Sequence, residues 1–425
     1  MKRVLFLLLL GLAVAGWSQT LTLMNNGIVK FPAGEDQFRG YPGIIEQIAG
    51  DFAARHPGVR VNMIYRDVSK GSLTFDAMLA AGNPPDVWID AGSYMANYVN
   101  DNYALQLEKY LDLRAYRPDL LSLWTRNGHV YALPLQNIAT GMAVNLDMLR
   151  RINYTLPPVE GWTTVEFLNL AAKLKVAGIP ATAIQGEGGL NSWTDVWLYA
   201  HGASMFNGFD YSRVTINSPE AVAGLEYIKA IIDRGYTVPP LETNDDDFVE
   251  LWSVGKVFGG IMQNGHADNW VPEQVRQGKL AAPFDYTFVE IPHAPGRSHT
   301  PVSGYQTVTI AHKSSQEPRN VLVAELAAAV TGKEAQFYYS IVTGGFPTLL
   351  NFMPNIGTAA YPSYKAIAGL ASTAGVYKEW PDGPKGAEVR RLWNSMTEQW
   401  LRGRLATRQL LAQFETEANK ILAAR

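Results

Sequence analysis

The chain reads as an α/β protein built on a parallel sheet. Two observations point there. Across residues 21–91, short apolar strand-like runs take turns with segments whose apolar residues recur at helical spacing, in the order β-α-β-α-β. Such alternation implies parallel strands joined by right-handed crossovers. The C-terminal part is strongly helical, so helices should cover the sheet.

Leu21 and Leu23 make the first strand, and a polar loop with glycines covers residues 25–42. Ile44, Ile45, Ile48 and Phe52 predict a helix that His56-Pro57-Gly58 stops. Val59, Val61, Met63 and Tyr65 alternate with Arg60, Asn62 and Ile64 as a strand. Ser72 is placed to cap a helix carrying Phe75, Met78 and Leu79, ended by Gly82-Asn83-Pro84-Pro85. Val87, Trp88 and Ile89 form the next strand, closing at Asp90-Ala91-Gly92-Ser93. Open α/β sheets bind ligands beyond the carboxyl ends of their strands. That singles out the loops at 25–42 and 90–94. Further on, Tyr131-Ala132-Leu133-Pro134-Leu135 is an apolar stretch followed by Gln136, Asn137 and Thr140, and Met142, Val144 and Leu146 begin a separate alternation. Thr163 and Glu166 fit a capping box ahead of Phe167, Leu170, Ala171 and Leu174. Helices fit 220–234, 248–254 and 321–330, and strands fit 257–262 and 308–310. Val389, Leu392, Met396 and Trp400, then Leu410, Phe414, Ala418 and Ile421, mark two C-terminal helices. No internal repeat interrupts this order.

The 425 residues are 47% hydrophobic and 18% charged, an ordinary globular balance with room for two or three domains. Lys and Arg number 36 against 39 Asp and Glu, a net charge of -3, without the basic excess of a nucleic-acid binder. The absence of cysteine excludes disulfides, thiolate metal sites, a Cys nucleophile and a lipid anchor on an N-terminal Cys. Lys2 and Arg3, the apolar run at 4–14, and Gly16 and Ser18 before Gln19 match the three parts of a signal peptide over 1–18. A signal anchor or a buried first strand is the alternative. The run is shorter than the roughly 20 residues that span a bilayer. An exported chain is the expectation.

Catalytic signatures are missing. Gly255-Lys256 lacks the rest of a phosphate loop, and Gly186-Glu187-Gly188-Gly189 has the spacing of a tight turn, not of a dinucleotide site. His293 and His299 share a Pro/Gly loop and read as surface histidines, and Asp245-Asp246-Asp247 reads as acidic residues complementing a helix N-terminus. No metal and no cofactor is expected. Two suitably spaced carboxylates would suffice for a glycosidase, so that reading stays open, with no positive feature behind it. What stands out is aromatic residues beside Gly, Pro, Asn or Asp: Trp193, Trp197, Trp270, Tyr305, Phe346 and Trp380. A flat ring covers the apolar face of a sugar, while amide, carboxylate and imidazole groups bond its hydroxyl rim. Asn191-Ser192-Trp193-Thr194-Asp195 and Asn264-Gly265-His266-Ala267-Asp268-Asn269-Trp270 each supply both elements, and are read as loops. Trp162, Trp252, Trp393 and Trp400 sit in helical patterns and are assigned to packing.

From about residue 21 onward the chain resembles extracellular solute-binding proteins of the family-1, maltose-binding-protein-like class, the receptors of ABC sugar importers. The carriers, in order, are the helix at 44–57 and Phe75-x-x-x-Leu79-x-x-Gly82-x-Pro84-Pro85-Asp86-Val87-Trp88; Tyr131-Ala132-Leu133-Pro134 leading to Val144-Asn145-Leu146-Asp147-Met148-Leu149; Pro157 to Gly161-Trp162-Thr163; Phe248 through Gly255-Lys256-Val257 to Met262; Ile291-Pro292 with Pro295-Gly296; Ser303-Gly304-Tyr305; and Gly344-Gly345-Phe346-Pro347. The resemblance implies a two-lobed periplasmic-binding-protein type II fold, each lobe a sheet flanked by helices, with the ligand between them. After the signal peptide it divides the chain into an N-lobe, 19–137 and 305–347, and a C-lobe, 138–304 and 348–425. Crossings are expected near 136–141, 303–306 and 345–349. It places Tyr41, Asp90, Ser93, Gln136, Asn137, Trp193, Asp195, Asn264, His266, Asp268, Trp270, Tyr305, Phe346 and Trp380 around a carbohydrate. It implies a monomer that docks its closed form on an ABC permease, with no nucleic-acid partner and no enzymatic activity. Without a lipobox Cys, it implies a free periplasmic protein. A receptor for glycerol phosphate or another anion, which would need Arg or Lys in the cleft, and a secreted glycosidase are the alternatives. A scaffold with a filled cleft is a third.

Overall fold

The computed structural model describes residues 19–26, 43–66, 73–92, 95, 98, 103–156, 162–190, 192–207, 210–263, 266–297, 303–343, 345–353 and 383–424. Strands β1 (Gln19–Asn26), β2 (Val59–Arg66) and β3 (Val87–Ala91) are parallel, with Gln19 opposite Val59 and Leu23 opposite Val87. Helices Ile44–Arg55 and Leu73–Ala80 join them, as the alternation predicts. Ile45, Ile48, Ala49 and Phe52 form the inner face of the first helix. A tight hairpin of β4 (Thr125–Arg126) and β5 (His129–Val130) turns on Asn127 and Gly128, at φ 52° and 81°. Two positive φ values are what a two-residue hairpin turn requires, and Asn-Gly supplies them.

β6 (Ala132–Asn145) is a single strand of 14 residues where the sequence suggests two stretches. β7 (Phe206–Asn207) and β8 (Asp210–Val214) make a second hairpin. β9 (Gly259–Gln263), β10 (Tyr286–Val289), β11 (Ser303–Ala311) and β12 (Phe346–Pro347) complete the strands. The main sheet runs β10-β6-β11-β3-β1-β2, with β9 and β12 also on β6. Its partners divide β6 in two. Residues 132–139 pair with β11, and 136–137 also with β12, whereas 140–145 lie between β9 and β10. The molecule is therefore two-lobed, and β6 is part of both sheets.

In the first lobe, Leu21, Leu23, Val87 and Ile89 pack against Phe52 and against Val323 and Ala327 of helix Glu317–Ala329. Arg319 holds Asp86 with two hydrogen bonds of 2.8 Å, and the Thr22 amide donates to the same carboxylate at 2.7 Å, which fixes that helix to the sheet. In the second lobe, helices Thr164–Val176, Ser192–Ala200, Pro219–Asp233, Gly383–Leu401 and Thr407–Ala423 bury Trp162, Phe167, Trp197, Trp393 and Phe414. The Thr163–Glu166 capping box forms as read. Trp162, Trp252, Trp393 and Trp400 are buried, as assigned.

Three local readings change. Trp197 is no loop platform: it is fully buried in helix Ser192–Ala200, 5.5 Å between ring centres from Phe167 and 5.3 Å from Tyr227. Both aromatic-polar segments read as loops run into helices, at 192 and at His266–Arg276, because Trp, Val and Leu at helical spacing continue beyond the polar start. Asp245 to Asp247 do not precede their helix but form its first turn. Asn244 and Asp247 close that turn through reciprocal 3.0 Å bonds from each backbone N–H to the other side chain, the capping-box arrangement. Ser72 and His299 lie outside the described residues.

The loop before Ser192 is pressed against the C-terminal helices. Gly189 has φ +111°, and a Cβ there would stand 2.0 Å from the Asn394 carbonyl oxygen. Gly189→Ala therefore combines a left-handed backbone with a clash against backbone, and is expected to cost at least about 2 kcal/mol in the denaturant midpoint.

His201 and His312 are both held below the ordinary imidazole pKa, chiefly by burial. Arg297 and Arg319 act the same way on each, while the Trp197 carbonyl and Asp86 oppose it. The unfolded chain titrates its histidines near about 6.5. Below that value it binds the more protons, so this stability is complete above about pH 6.5 and is lost as pH falls through the lower folded values. The melting temperature is expected to drop between about pH 7.5 and about pH 5, and less so in a His201→Gln/His312→Gln variant.

Candidate functional site

The register of the strands brings both lobes to the same short stretch of β6. Ala91, at the carboxyl end of β3, faces Thr307, which faces Gln136. Asn137 faces Gln306 and Phe346, and Ala139 faces Ser303. Thr140 faces Gln263, at the carboxyl end of β9. The end of β9 thus meets Thr140 directly, and the end of β3 lies one strand away across β11 from Gln136, at the edge where open α/β sheets bind ligands. Gln136, Asn137 and Thr140 are buried there. Asn137 is fully buried, and neither its Oδ1 nor its Nδ2 has a hydrogen-bond partner among the described residues. Phe346, also buried, belongs to one hydrophobic cluster with Ala139, Ala143, Met262 and Ala267, so a residue of β12 joins the second-lobe core.

The three predicted acids share one arrangement: each accepts a hydrogen bond from an aromatic side chain. Asp90, wholly buried on β3, takes the Trp88 indole N–H at 3.1 Å, and Trp88 stacks on Phe75 with 4.1 Å between ring centres. Asp195, in the first turn of helix Ser192–Ala200, takes the Trp393 indole N–H at 3.0 Å. Asp268, in the first turn of helix His266–Arg276, takes the Tyr286 hydroxyl. Burial foremost, and the Asp268 carboxylate next, push the Tyr286 pKa well above its ordinary value, so the phenol keeps its proton as the donor. Trp270 is half-buried two residues further along that helix. Trp193 and His266 are in the first turns of their helices and Tyr305 is in β11. Tyr41, Ser93, Asn264 and Trp380 lie outside the described residues.

Three participants escape the sequence reading. Tyr286 and Trp393 look like core aromatics, and nothing local marks their polar tips as partners of acids far along the chain. Gln185 precedes a glycine-rich turn and carries no motif, yet it is buried and neither end of its amide has a hydrogen-bond partner among the described residues. Its only signal is a polar residue between Ile184 and a turn.

The chemistry available is hydrogen bonding and aromatic contact. Among the described residues no group of three or more His, Asp or Glu side chains gathers as metal ligands would. His293 is not the surface histidine that its Pro/Gly loop suggests: it is buried, because its backbone bridges to Thr163. No helix among the described residues is long and apolar enough to cross a membrane.

Two α/β lobes sharing a strand, with strand ends of both turned to one stretch of it, define a protein built to hold a ligand between its halves. The chain belongs to the bacterial extracellular solute-binding proteins, whose family model matches residues 47–368. Solved structures agree in fold. The cyclic alpha-maltosyl-1,6-maltose binding protein from Arthrobacter globiformis superimposes with a TM-score of 0.73 at 16% identity, over 95% of this chain and 99% of that one. The maltose-maltodextrin binding protein of Alicyclobacillus acidocaldarius gives 0.66 at 18%, over 95% and 100%. The maltose-bound T. maritima protein gives 0.67 at 18%, over 94% and 99%. No curated protein sequence matches the chain. The family and these neighbours are binding proteins, exported by the family's description.

Tyr286→Phe removes the donor that holds Asp268 and leaves the ring packing against Trp252 and Phe284 in place. It is expected to destabilise the chain by about 1–3 kcal/mol in denaturant melts, the range for a hydrogen bond to a buried charged group.

Proposed function

We propose that this protein is the substrate-binding receptor of an ABC importer, that it captures a neutral carbohydrate between its lobes, and that it acts without catalysis. The observation that carries this reading is the crossing at 136–140, where β6 changes partners from one lobe to the other and Asn137 holds a fully buried amide with no hydrogen-bond partner among the described residues. An amide offers a donor and an acceptor and no charge, which suits hydroxyl groups. Similar folds bind maltose or a maltose-derived ring by their own descriptions, which supports the ligand class.

In this reading the lobes comprise 19–137 with 305–347, and 138–304 with 348–425. The chain crosses between them three times, and rotation about these crossings closes the cleft. Only contacts made by both lobes at once favour the closed form, which is then the form a permease takes up. Asp90, Gln136 and Asn137, with Tyr41 and Ser93, serve from one side. Trp193, Asp195, Asn264, His266, Asp268 and Trp270 serve from the other, and Tyr305, Phe346 and Trp380 serve at the crossings and the last loop. A signal peptide at 1–18 delivers a monomer to the periplasm. No Lys or Arg stands among these residues, which favours a neutral ligand over an anion.

A thermal-shift screen of the chain from Gln19 against mono-, di- and trisaccharides, polyols and glycerol phosphates tests the proposal. A ligand that binds only the folded state raises the midpoint by mass action. A large shift with a neutral sugar, and no product after overnight incubation, is expected. A shift with phosphates alone would replace the sugar by an anion, and product formation would make the protein a glycosidase.

A further inference from the structure

The geometry points to Gln185 as a specificity residue that reads one hydroxyl group of the carbohydrate from the second-lobe wall. This inference rests on the receptor reading above. Its first support is position. Residues 180–185 run beside β9 in the same direction: Phe258 N–H donates to the Pro180 carbonyl at 2.9 Å, and Gly259 N–H to the Ala181 carbonyl at 3.0 Å. On the other side the Ile184 amide donates to Thr237 Oγ1 at 2.9 Å. Four residues beyond Ala181 and Gly259 come Gln185 and Gln263, and Gln263 is the residue opposite Thr140 at the crossing. Gln185 therefore stands at the carboxyl end of its segment, on the edge where β9 also ends, which is the ligand edge of an open α/β layer.

Its second support is the state of the side chain. Gln185 is 3% exposed, and neither Oε1 nor Nε2 has a hydrogen-bond partner among the described residues. The backbone of the same residue is fully engaged: its N–H and carbonyl both meet Thr194 Oγ1 at 3.3 Å, in the first turn of helix Ser192–Ala200. The main chain is pinned while the amide is left over. Buried amides are otherwise nearly always satisfied, so an unsatisfied one needs a reason.

Its third support is the space beside it. Gln185, Thr182, Thr194, Trp197, Phe248 and Ile261 line a partly open pocket of about 10 Å³. That is the space one water or one hydroxyl oxygen fills. The walls from Trp197, Phe248 and Ile261 are apolar and Thr182 and Thr194 add a hydroxyl each, so the Gln185 amide is the one group there that offers both an N–H donor at Nε2 and a carbonyl acceptor at Oε1 to a hydroxyl. A sugar lacking that hydroxyl would leave the amide unpaired, the situation in which polar sites reject analogues most strongly.

The test uses the whole chain and two variants, Gln185→Met and Gln185→Glu, in two measurements. In ligand-free melts, Gln185→Met replaces an unpaired amide by an apolar side chain of similar shape, and is expected to melt about 1–2 °C above the parent. A lower melting point would mean that the amide is already bonded in the resting fold, through a water or a neighbouring group, and would overturn the inference. In calorimetric titrations with maltose, maltotriose and trehalose, any sugar the parent binds is expected to bind about 10- to 100-fold more weakly to Gln185→Met. Gln185→Glu, which keeps a polar group of the same length but not the amide N–H donors, is expected to fall between the two. A sugar bound equally by the parent and Gln185→Met sinks the inference and leaves the receptor reading standing. A parent that binds none of the three, and none of the wider sugar panel, sinks the receptor reading and the inference with it.

Discussion

Strand β6 has to satisfy two sheets at once. Between Ala139 and Thr140 its ladder passes from β11 and β12 to β9 and β10 without a break in the strand. Its partners bind it on both edges, so neither lobe can shift along it without losing hydrogen bonds, and a buried backbone group left unpaired is costly. Trp252, fully buried, adds a side-chain tie from its indole N–H to the Ala143 carbonyl at 3.1 Å. What remains adjustable is the stretch where the partners change. Register irregularities in β11 fall there, between Ser303 and Gln306 and again between Thr307 and Val308. Bulges of that kind bend a strand and change its twist locally. The lobe rotation proposed above falls on this same stretch.

The same constraint explains what the sequence made legible. Strands β1 to β3 and the helices between them are local units with clean periodicity, and a polar-to-apolar alternation or a capping box is visible without knowing the partner. Residues 132–145 are different. Pro134, Gln136, Asn137 and Thr140 interrupt the apolar pattern, and those residues carry the change of partners, so one strand looked like two. The loop reading of 191–195 and 264–270 erred for a related reason. Polar residues next to Trp suggest a surface loop, yet a helix of nine residues at Ser192–Ala200 and one of eleven at His266–Arg276 start inside them. Trp197 then falls on the buried face, four residues after Trp193, and only the packing of Phe167 and Tyr227 around it decides that.

The acids illustrate a further limit. Asp90, Asp195 and Asp268 stand out by type and neighbourhood, but an aromatic donor bonds each of them: Trp88 two residues away, Trp393 some two hundred residues away, and Tyr286 across a helix and a loop. The two longer-range pairings leave no mark at either position. Such bonding also has a consequence for the wall on which the acids sit. A carboxylate bonded to an indole or a phenol is held in one orientation, because the donor is itself locked in the aromatic core.

The three carboxylates therefore differ from two of the buried amides. Asp90, Asp195 and Asp268 each accept a hydrogen bond from an aromatic donor, whereas the buried amides of Asn137 and Gln185 have no hydrogen-bond partner among the described residues. Leaving a charge in that condition would be far more costly than leaving an amide, since an isolated buried ion loses several kcal/mol of solvation and would take a counterion or a proton instead. An unpaired amide costs roughly 1–3 kcal/mol per group, which the aromatic and aliphatic cores of the two lobes can offset. A neutral hydrogen-bonding side chain is thus the strongest recognition element that such a wall can keep buried and unmet. The free energy recovered when a hydroxyl meets it goes to the liganded state alone, which is the condition for a ligand to bias one arrangement of the lobes over another.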